Sequence, residues 1–388
     1  IPGIVVAAGP SLNKNIQELK KAKGKAFIIA VDTAIKPLLK NGIIPDMFAI
    51  VDAMKPLDLV KMEEAKEIPL VTTLNASPEI LDYHKGMKFF YNEGYQFAES
   101  VFLRTGQKIG KVSNGGSVAT SAFSLLYKIG ISTIILVGQD LAYTNNKSHA
   151  DGTFQEIMKE ENTSRFMMVE GNFEDKVPTR PDFKLFLDWY NMYIEGCKGY
   201  RGNFRVINAT EGGAKIQNTE IMTLREAIDR ECTKEVDIQK SLSQLSPMLS
   251  EGNQAWAVEY FVNMPKRFQQ LVEDAKKAKK LYQKLNKICN RKKIDKKEYL
   301  NILKKLAKQI KILEKQATYQ LVEITMSAAQ YILRGEQYLQ EDSFQAEGKE
   351  IARKGILYID NVIDMAILFQ EYSEEIFGED FKEQYENL

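Results

Sequence analysis

The chain has 388 residues, 27% charged and 44% hydrophobic, with 53 Lys and Arg against 52 Asp and Glu for a formal net charge of +1. That length holds two or three domains with a sizeable core, and the balance of charge leaves no whole-chain electrostatic footprint for nucleic acid or membrane. Cys197, Cys232 and Cys289 are odd in number, far apart and without metal-like spacing, which favours a reducing compartment over a secreted one, and no apolar run is long enough to span a bilayer.

The chain begins Ile1-Pro2-Gly3-Ile4 and runs directly into an apolar strand, so a longer parent protein is expected. Up to about residue 140, short apolar runs alternate with helical patterns, the signature of βα units and a mostly parallel sheet. Strands are predicted at 4–8, 26–31, 47–51, 69–73, 88–91 and 133–137, several of them apolar throughout, as expected where helices cover both faces of a sheet. Helices fit between them at 15–21, at 33–40 (stopped by Asn41-Gly42), at 77–81, and at 117–128 (stopped by Gly130). From 141 to 217 the pattern loosens into polar, Gly-rich stretches, a helix at 181–195 and a strand at 204–207. This reads as lid and loop material appended to the sheet.

After about residue 237 glycine and proline become scarce. Leu271, Ala275, Ala278, Tyr282, Leu285 and Ile288 recur at helical spacing, as do Leu300, Leu303, Leu306, Ile310, Leu313, Ala317 and Leu321, so a helical bundle or hairpin is expected. The basic runs around 276–280 and 291–297 read as the solvated face of a helix pair, with a surface for an acidic partner as the alternative. The expected fold class is therefore α/β, a Rossmann-like mostly parallel sheet with helices on both faces over residues 1–235, followed by an all-α domain over 236–388.

Ligands of open parallel sheets bind beyond the carboxyl ends of the strands. The first strand is followed by Gly9-Pro10-Ser11, the second by Asp32, the third by Asp52, the fourth by Asn75, and the sixth by Gly138-Gln139-Asp140. Gly9-Pro10-Ser11 is neither a dinucleotide fingerprint nor a Walker loop. A glycine there lets backbone approach phosphate, and the N–H groups of the next helix are expected to supply donors, with Ser11 either donating to phosphate or capping the helix. A second turn, Ser113-Asn114-Gly115-Gly116-Ser117, opens the helix before the sixth strand. Its glycines either hold ribose or phosphate, or allow tight packing. Of the two histidines, His84 lies among exposed-looking residues of a helix end and reads as structural. His149, in a polar loop close in sequence to Asp140 and Tyr143, is the candidate general base, with a plain surface histidine as the alternative. No His/Cys cluster has zinc spacing; Asp32, Asp52 and Asp140 could instead hold magnesium through oxygens.

Several of these segments occur in a characteristic order. They are Val5-Val6-Ala7-Ala8-Gly9-Pro10-Ser11-Leu12, Ala30-Val31-Asp32-Thr33-Ala34, Pro45-Asp46 with Val51-Asp52, and Gly115-Gly116-Ser117-Val118-Ala119. Leu136-Val137-Gly138-Gln139-Asp140-Leu141-Ala142-Tyr143-Thr144, His149-Ala150 and Asn208-Ala209-Thr210-Glu211-Gly212-Gly213-Ala214 come after them. The set resembles the motility accessory factor (Maf) family of flagellin glycosyltransferases over roughly residues 3–217, and the helical tail resembles that family in character. Its core is also similar to bacterial CMP-dependent sialyltransferases that place CMP beside a Gly-x-Gly-Pro-Ser turn, where this chain has Ala7-Ala8-Gly9-Pro10-Ser11.

The resemblance implies an inverting, O-linked transfer of a nonulosonic acid, pseudaminic or legionaminic acid for example, from its CMP-activated form. The acceptor would be a Ser or Thr of flagellin in the bacterial cytoplasm before export, and the transfer would serve flagellum assembly and motility. It implies no tightly bound cofactor, no nucleic-acid partner, a further N-terminal domain, and acceptor binding by the helical domain. Gly9, Pro10, Ser11, Asp32, Asp52, Asn75, Asn114, Gly115, Gly116, Ser117, Gly138, Gln139, Thr210, Glu211 and Gly212 would hold the donor. His149, Asp140 and Tyr143 would be catalytic, with Asp140 orienting either the loop or the imidazole. The nearest alternative is the 6-hydroxymethyl-dihydropterin diphosphokinases, ATP and magnesium enzymes that the core also resembles. A non-catalytic flagellin-binding chaperone is a further one.

Overall fold

The computed structural model describes residues 1–144, 147–153, 166–246, 250–326 and 343–385. The described residues form two compact units, Ile1–Gly94 with Ile109–Ser246, and Tyr95–Lys108 with Pro247–Leu388.

The first unit is built on an eight-stranded, all-parallel sheet. Its strands are β1 (Gly3–Val6), β2 (Phe27–Val31), β3 (Met47–Ile50), β4 (Leu70–Thr73), β5 (Lys88–Tyr91), β6 (Thr133–Val137), β9 (Arg205–Asn208) and β10 (Glu220–Ile221), in the order β10-β9-β6-β1-β2-β3-β4-β5. Between β6 and β9 a separate antiparallel hairpin pairs β7 (Met167–Glu170) with β8 (Lys176–Thr179). Every residue of β1, β2, β3, β4 and β6 is buried, because helices cover both faces and an apolar side chain gains from burial on either side. At one edge, β5 exposes Lys88 and Phe90; the other edge, β10, is only two residues long, and both features discourage further strand pairing.

The helices of this unit are α1 (Leu12–Asn15), α2 (Leu19–Ala22), α3 (Asp32–Lys40), α4 (Pro78–Tyr83), α6 (Val118–Lys128), α7 (Pro181–Tyr200), α8 (Leu224–Glu231) and α9 (Ile238–Ser243). The single helix expected at 15–21 is instead two short α-turns joined by 3-10 backbone at Ile16–Glu18. The segment 141–217 also does more than supply loops, since β9 enters the sheet beside β6 with Ile134 opposite Val206. β1 lies between β2 and β6, so successive connections leave it in opposite directions and the strand order reverses there. That reversal opens a crevice at the carboxyl ends of β1 and β6.

The second unit contains α5 (Gln96–Arg104), α10 (Glu251–Val262), α11 (Met264–Cys289), α12 (Lys296–Glu314), α13 (Ala317–Thr325), α14 (Phe344–Ile376) and α15 (Glu379–Tyr385). Phe268, Leu271, Ala275 and Ala278 of α11 share a core with Ile359, Val362 and Ala366 of α14, and Phe268 stacks on Phe369 at 5.5 Å. The carboxylate of Asp274 accepts from Gln270, Lys277 and Gln316, and its backbone carbonyl accepts from Gln309. One buried acid thereby ties α11 to α12 and to the residue preceding α13. Close approach of α14 to α11 depends on Gly355, where a Cβ would lie 2.2 Å from Cε1 of Tyr282. Gly355→Ala therefore forces the ring aside. A destabilisation of about 1–3 kcal/mol is expected, read as an earlier thermal transition in the helical circular-dichroism signal.

Among the described residues no helix is long and apolar enough to cross a membrane.

Candidate functional site

The crevice at the β1/β6 reversal is a cavity of about 1000 Å3. Its floor is made by strand ends: Ala7, Ala8 and Gly9 after β1, Asp32 and Thr33 after β2, Asp52 and Lys55 after β3, and Gly138, Gln139 and Asp140 after β6. Asn114, Gly116, Ser117, Val118 and Ala119 at the start of α6 line it, as do Tyr143 and His149 of the following loop and Arg180, Phe183 and Phe186 at the start of α7. Of the residues expected from sequence, eleven converge here: Gly9, Asp32, Asp52, Asn114, Gly116, Ser117, Gly138, Gln139, Asp140, Tyr143 and His149. Pro10, Ser11, Asn75, Gly115, Thr210, Glu211 and Gly212 are not among its lining residues.

The structure gives most of that second group work behind the cavity. Ser11 is fully buried; its hydroxyl donates to Asp140 Oδ2 at 2.6 Å and its backbone N–H points to the same carboxylate, so it neither caps α1 nor faces outward. The Gly9 N–H donates to Gly138 O at 2.8 Å, the Leu12 N–H donates to Gly9 O at 3.0 Å, and proline has none to give. The turn after β1 thus satisfies its own donors and does not form the open phosphate cradle the sequence suggested. Thr210 accepts from the Gln139 N–H, and Glu211 accepts from Asn15 and from the Leu224 N–H, which fixes β9 to the neighbouring loops. Gly115 packs under Trp189, where a Cβ would lie 2.4 Å from Cγ, so this glycine serves packing. Asn75 is exposed beyond β4, its N–H held by Thr73 Oγ1.

Open backbone donors occur instead at the start of α6. Ser117 caps that helix through a reciprocal box with Thr120, and Gly116 sits at φ +94, a left-handed turn that favours glycine. The N–H groups of Val118 and Ala119, both on the cavity wall, have no hydrogen-bond partner among the described residues. The helix's positive end therefore faces the cavity. Two cations that the sequence does not single out join it. Lys55 Nζ lies 3.1 Å from Asp32 Oδ2, and Arg180 lies over the Phe183 ring at 4.0 Å while directing Nη1 to the Tyr143 hydroxyl at 3.4 Å.

Asp140 is the hub beneath this wall. It is buried, and it accepts from the Ser11 N–H and hydroxyl and from the Thr144 hydroxyl at 2.9 Å. Burial pushes its carboxyl above the usual aspartate value, against those hydrogen bonds, which pull it down. His149 Nδ1 instead pairs with Ser148 Oγ at 3.0 Å, so Asp140 holds the loop and does not orient the imidazole. Burial first, then the charges of Arg180 and Lys55, hold the His149 imidazole down to about 4. It is therefore neutral at physiological pH and able to accept a proton. Tyr143 is buried and stacks on Phe166 at 4.1 Å.

His84, expected at an exposed helix end, is instead buried, with its ring edge-on to Phe48 at 5.7 Å. Its packing partner comes from β3, which local sequence does not reveal. Asp32, Asp52 and Asp140 do not converge as a magnesium set. Asp32 faces Lys55, Asp52 accepts from the Met54 N–H, and Asp140 serves Ser11 and Thr144. Among the described residues no three His, Cys, Asp or Glu side chains gather as metal ligands.

Residues 1–146 match the family model described as 6-hydroxymethylpterin diphosphokinase MptE-like. No curated protein sequence matches the chain. Among solved structures, the chain is similar to a MAf glycosyltransferase from Magnetospirillum magneticum AMB-1, at 17% identity and a TM-score of 0.60, over 97% of this chain and 56% of that one. The likeness shows a shared fold over nearly all of the chain, in agreement with the resemblance raised by the ordered motifs. The chain spans just over half the length of that protein.

Proposed function

We propose that this chain is a glycosyltransferase that moves a nonulosonic acid from a CMP-activated donor to Ser or Thr hydroxyls of flagellin in the bacterial cytoplasm. The observation that carries the reading is the pairing, in one cavity, of an open helix N-terminus with a neutral imidazole. The first suits a phosphate leaving group and the second an incoming hydroxyl. The fold shared with a MAf glycosyltransferase extends beyond the nucleotide-type domain, which further supports it.

In this mechanism the donor phosphate rests on the Val118 and Ala119 N–H groups, with Lys55 and Arg180 offsetting its charge. His149 takes the proton of the acceptor hydroxyl. That oxygen forms a bond to the anomeric carbon as the carbon–phosphate oxygen bond breaks, the electron pair leaves with CMP, and the configuration inverts. Positioning and stabilisation of developing charge supply most of the rate, because CMP is already a good leaving group.

The match of residues 1–146 to a pterin diphosphokinase-type model favours one second reading, an ATP-dependent diphosphoryl transfer. Calorimetry separates the two. CMP and CTP are expected to bind without added metal, and incubation with CMP-pseudaminic or CMP-legionaminic acid to add the sugar mass to flagellin. Binding of ATP with magnesium alone, with diphosphoryl transfer to a hydroxymethylpterin and no sugar transfer, would replace the first reading by the second.

A further inference from the structure

The near-zero net charge of the chain conceals a strong internal separation. Residues 264–315, which hold α11, the following loop and α12, carry 18 Lys and Arg against 5 Asp and Glu, a net of +13, so the rest of the chain carries −12. On α11, Lys276, Lys280, Lys284 and Lys287 are all exposed at spacings of three and four, one solvent-facing stripe. On α12, Lys304, Lys308, Lys311 and Lys315 repeat the arrangement. None of these eight has an ion-pair partner among the described residues, whereas Lys277, Lys279 and Arg291 do. Like charges one helical turn apart repel, so these stripes oppose folding of the isolated chain and lose that penalty when an anion covers them.

The chemistry of the stripes narrows the anion. Sixteen of the 18 cations are lysine, a point charge lacking the planar fork with which arginine grips phosphate. The aromatic side chains of the region, Phe268, Tyr282 and Tyr299, are packed inside the bundle, leaving none exposed on which a base could stack. The apolar faces of both helices are likewise spent on the core, and Leu300 and Ile312 are its only exposed large apolar side chains, too few to enter a bilayer surface. Lysines recurring every three or four residues are complementary to an acidic helix whose carboxylates recur at the same spacing.

We propose that α11 and α12 form a docking surface for an acidic polypeptide. On the functional reading above, its occupant is the acceptor protein, but the surface is testable without that reading. The probe is fluorescently labelled poly-L-glutamate, titrated against the whole chain and read by anisotropy, in parallel with a DNA duplex and with phosphatidylglycerol vesicles. Polyglutamate binding is expected to weaken as salt rises and to fall roughly tenfold or more in the Lys304→Glu/Lys308→Glu/Lys311→Glu variant. The neutral Lys276→Gln/Lys280→Gln/Lys284→Gln set, which leaves both helices good helix formers, is expected to weaken it in the same direction. CMP binding should remain unchanged in both, so failure at the surface is distinguishable from failure at the cavity. Unaltered polyglutamate binding in both sets, or tighter binding of DNA or vesicles through the same lysines, overturns the proposal.

Discussion

Replacing Gly9 with alanine is expected to destabilise the α/β unit by about 3 kcal/mol and to abolish nucleotide binding with it. An ideal Cβ at this position would lie 2.1 Å from Asp140 Oδ2 and 2.5 Å from the Gly138 carbonyl oxygen. Neither neighbour can retreat. The Asp140 carboxylate is held by Ser11 and Thr144, and Gly138 is fixed at φ +65, with the Ala7 carbonyl only 2.3 Å from where its own Cβ would be. The glycine is thus required for packing against a buried acid, a different reason from the phosphate approach that its position after β1 suggests.

Asp140→Ala tests the same junction from the other side. It strands the Ser11 N–H and the Ser11 and Thr144 hydroxyls in a buried site, and a loss of comparable size is expected. Asp140→Asn should be milder, since its oxygen can accept from the Ser11 N–H while its amide donates to the Ser11 hydroxyl. It also removes a pH dependence. With a folded pKa above the ordinary 3.8, the native state holds the proton more tightly, so stability falls as pH rises from 3.8 to the raised value. The chain has two tryptophans, Trp189 and Trp256, and only Trp189 belongs to the sheet unit. Urea unfolding followed by fluorescence in a Trp256→Phe background therefore reports this unit alone. A Gly9→Ala midpoint indistinguishable from the parent would sink the packing account.

This junction also shows where sequence reading stops. The strands β1 to β4 and β6 were legible because each is a short apolar run buried on both faces, and Gly9, Asp32, Asp52, Gly138, Gln139 and Asp140 at their ends line the β1/β6 crevice, while Pro10, Ser11 and Asn75 do not. Which helix offers free donors was not legible. Ser11 and Asp140 are 129 residues apart, and nothing local says that one consumes the other's hydrogen bonds. Lys55 and Arg180 escaped notice because they are two cations among 53, distinguished only by the cavity they reach. Helix α5 and the hairpin of β7 and β8 passed unread, since their half-exposed residues give no strong periodic signal.

The loss of His149 is expected to lower sugar transfer by about 10²- to 10⁴-fold in His149→Ala, with CMP binding retained. The pH dependence distinguishes a base from a residue that merely shapes the wall. In the free protein the imidazole is held near 4 by burial and by Arg180 and Lys55, so the acid limb of kcat/KM should fall near pH 4. A bound donor brings a phosphate and a carboxylate that oppose both cations, which raises the pKa, and the acid limb of kcat should therefore sit higher by roughly a unit or more. Arg180→Gln removes the largest of the opposing charges and should move the free-protein limb upward. The same depressed pKa affects folding. Between the ordinary 6.5 and about 4 the unfolded chain binds the proton that the native state refuses, so stability is lost as pH drops through that window, by about 3 kcal/mol. Far-UV circular dichroism at each pH separates that loss of fold from loss of the base. Coincident limbs for kcat and kcat/KM, or near-normal transfer by folded His149→Ala, would remove the imidazole from the mechanism and leave its role to another group on the cavity wall.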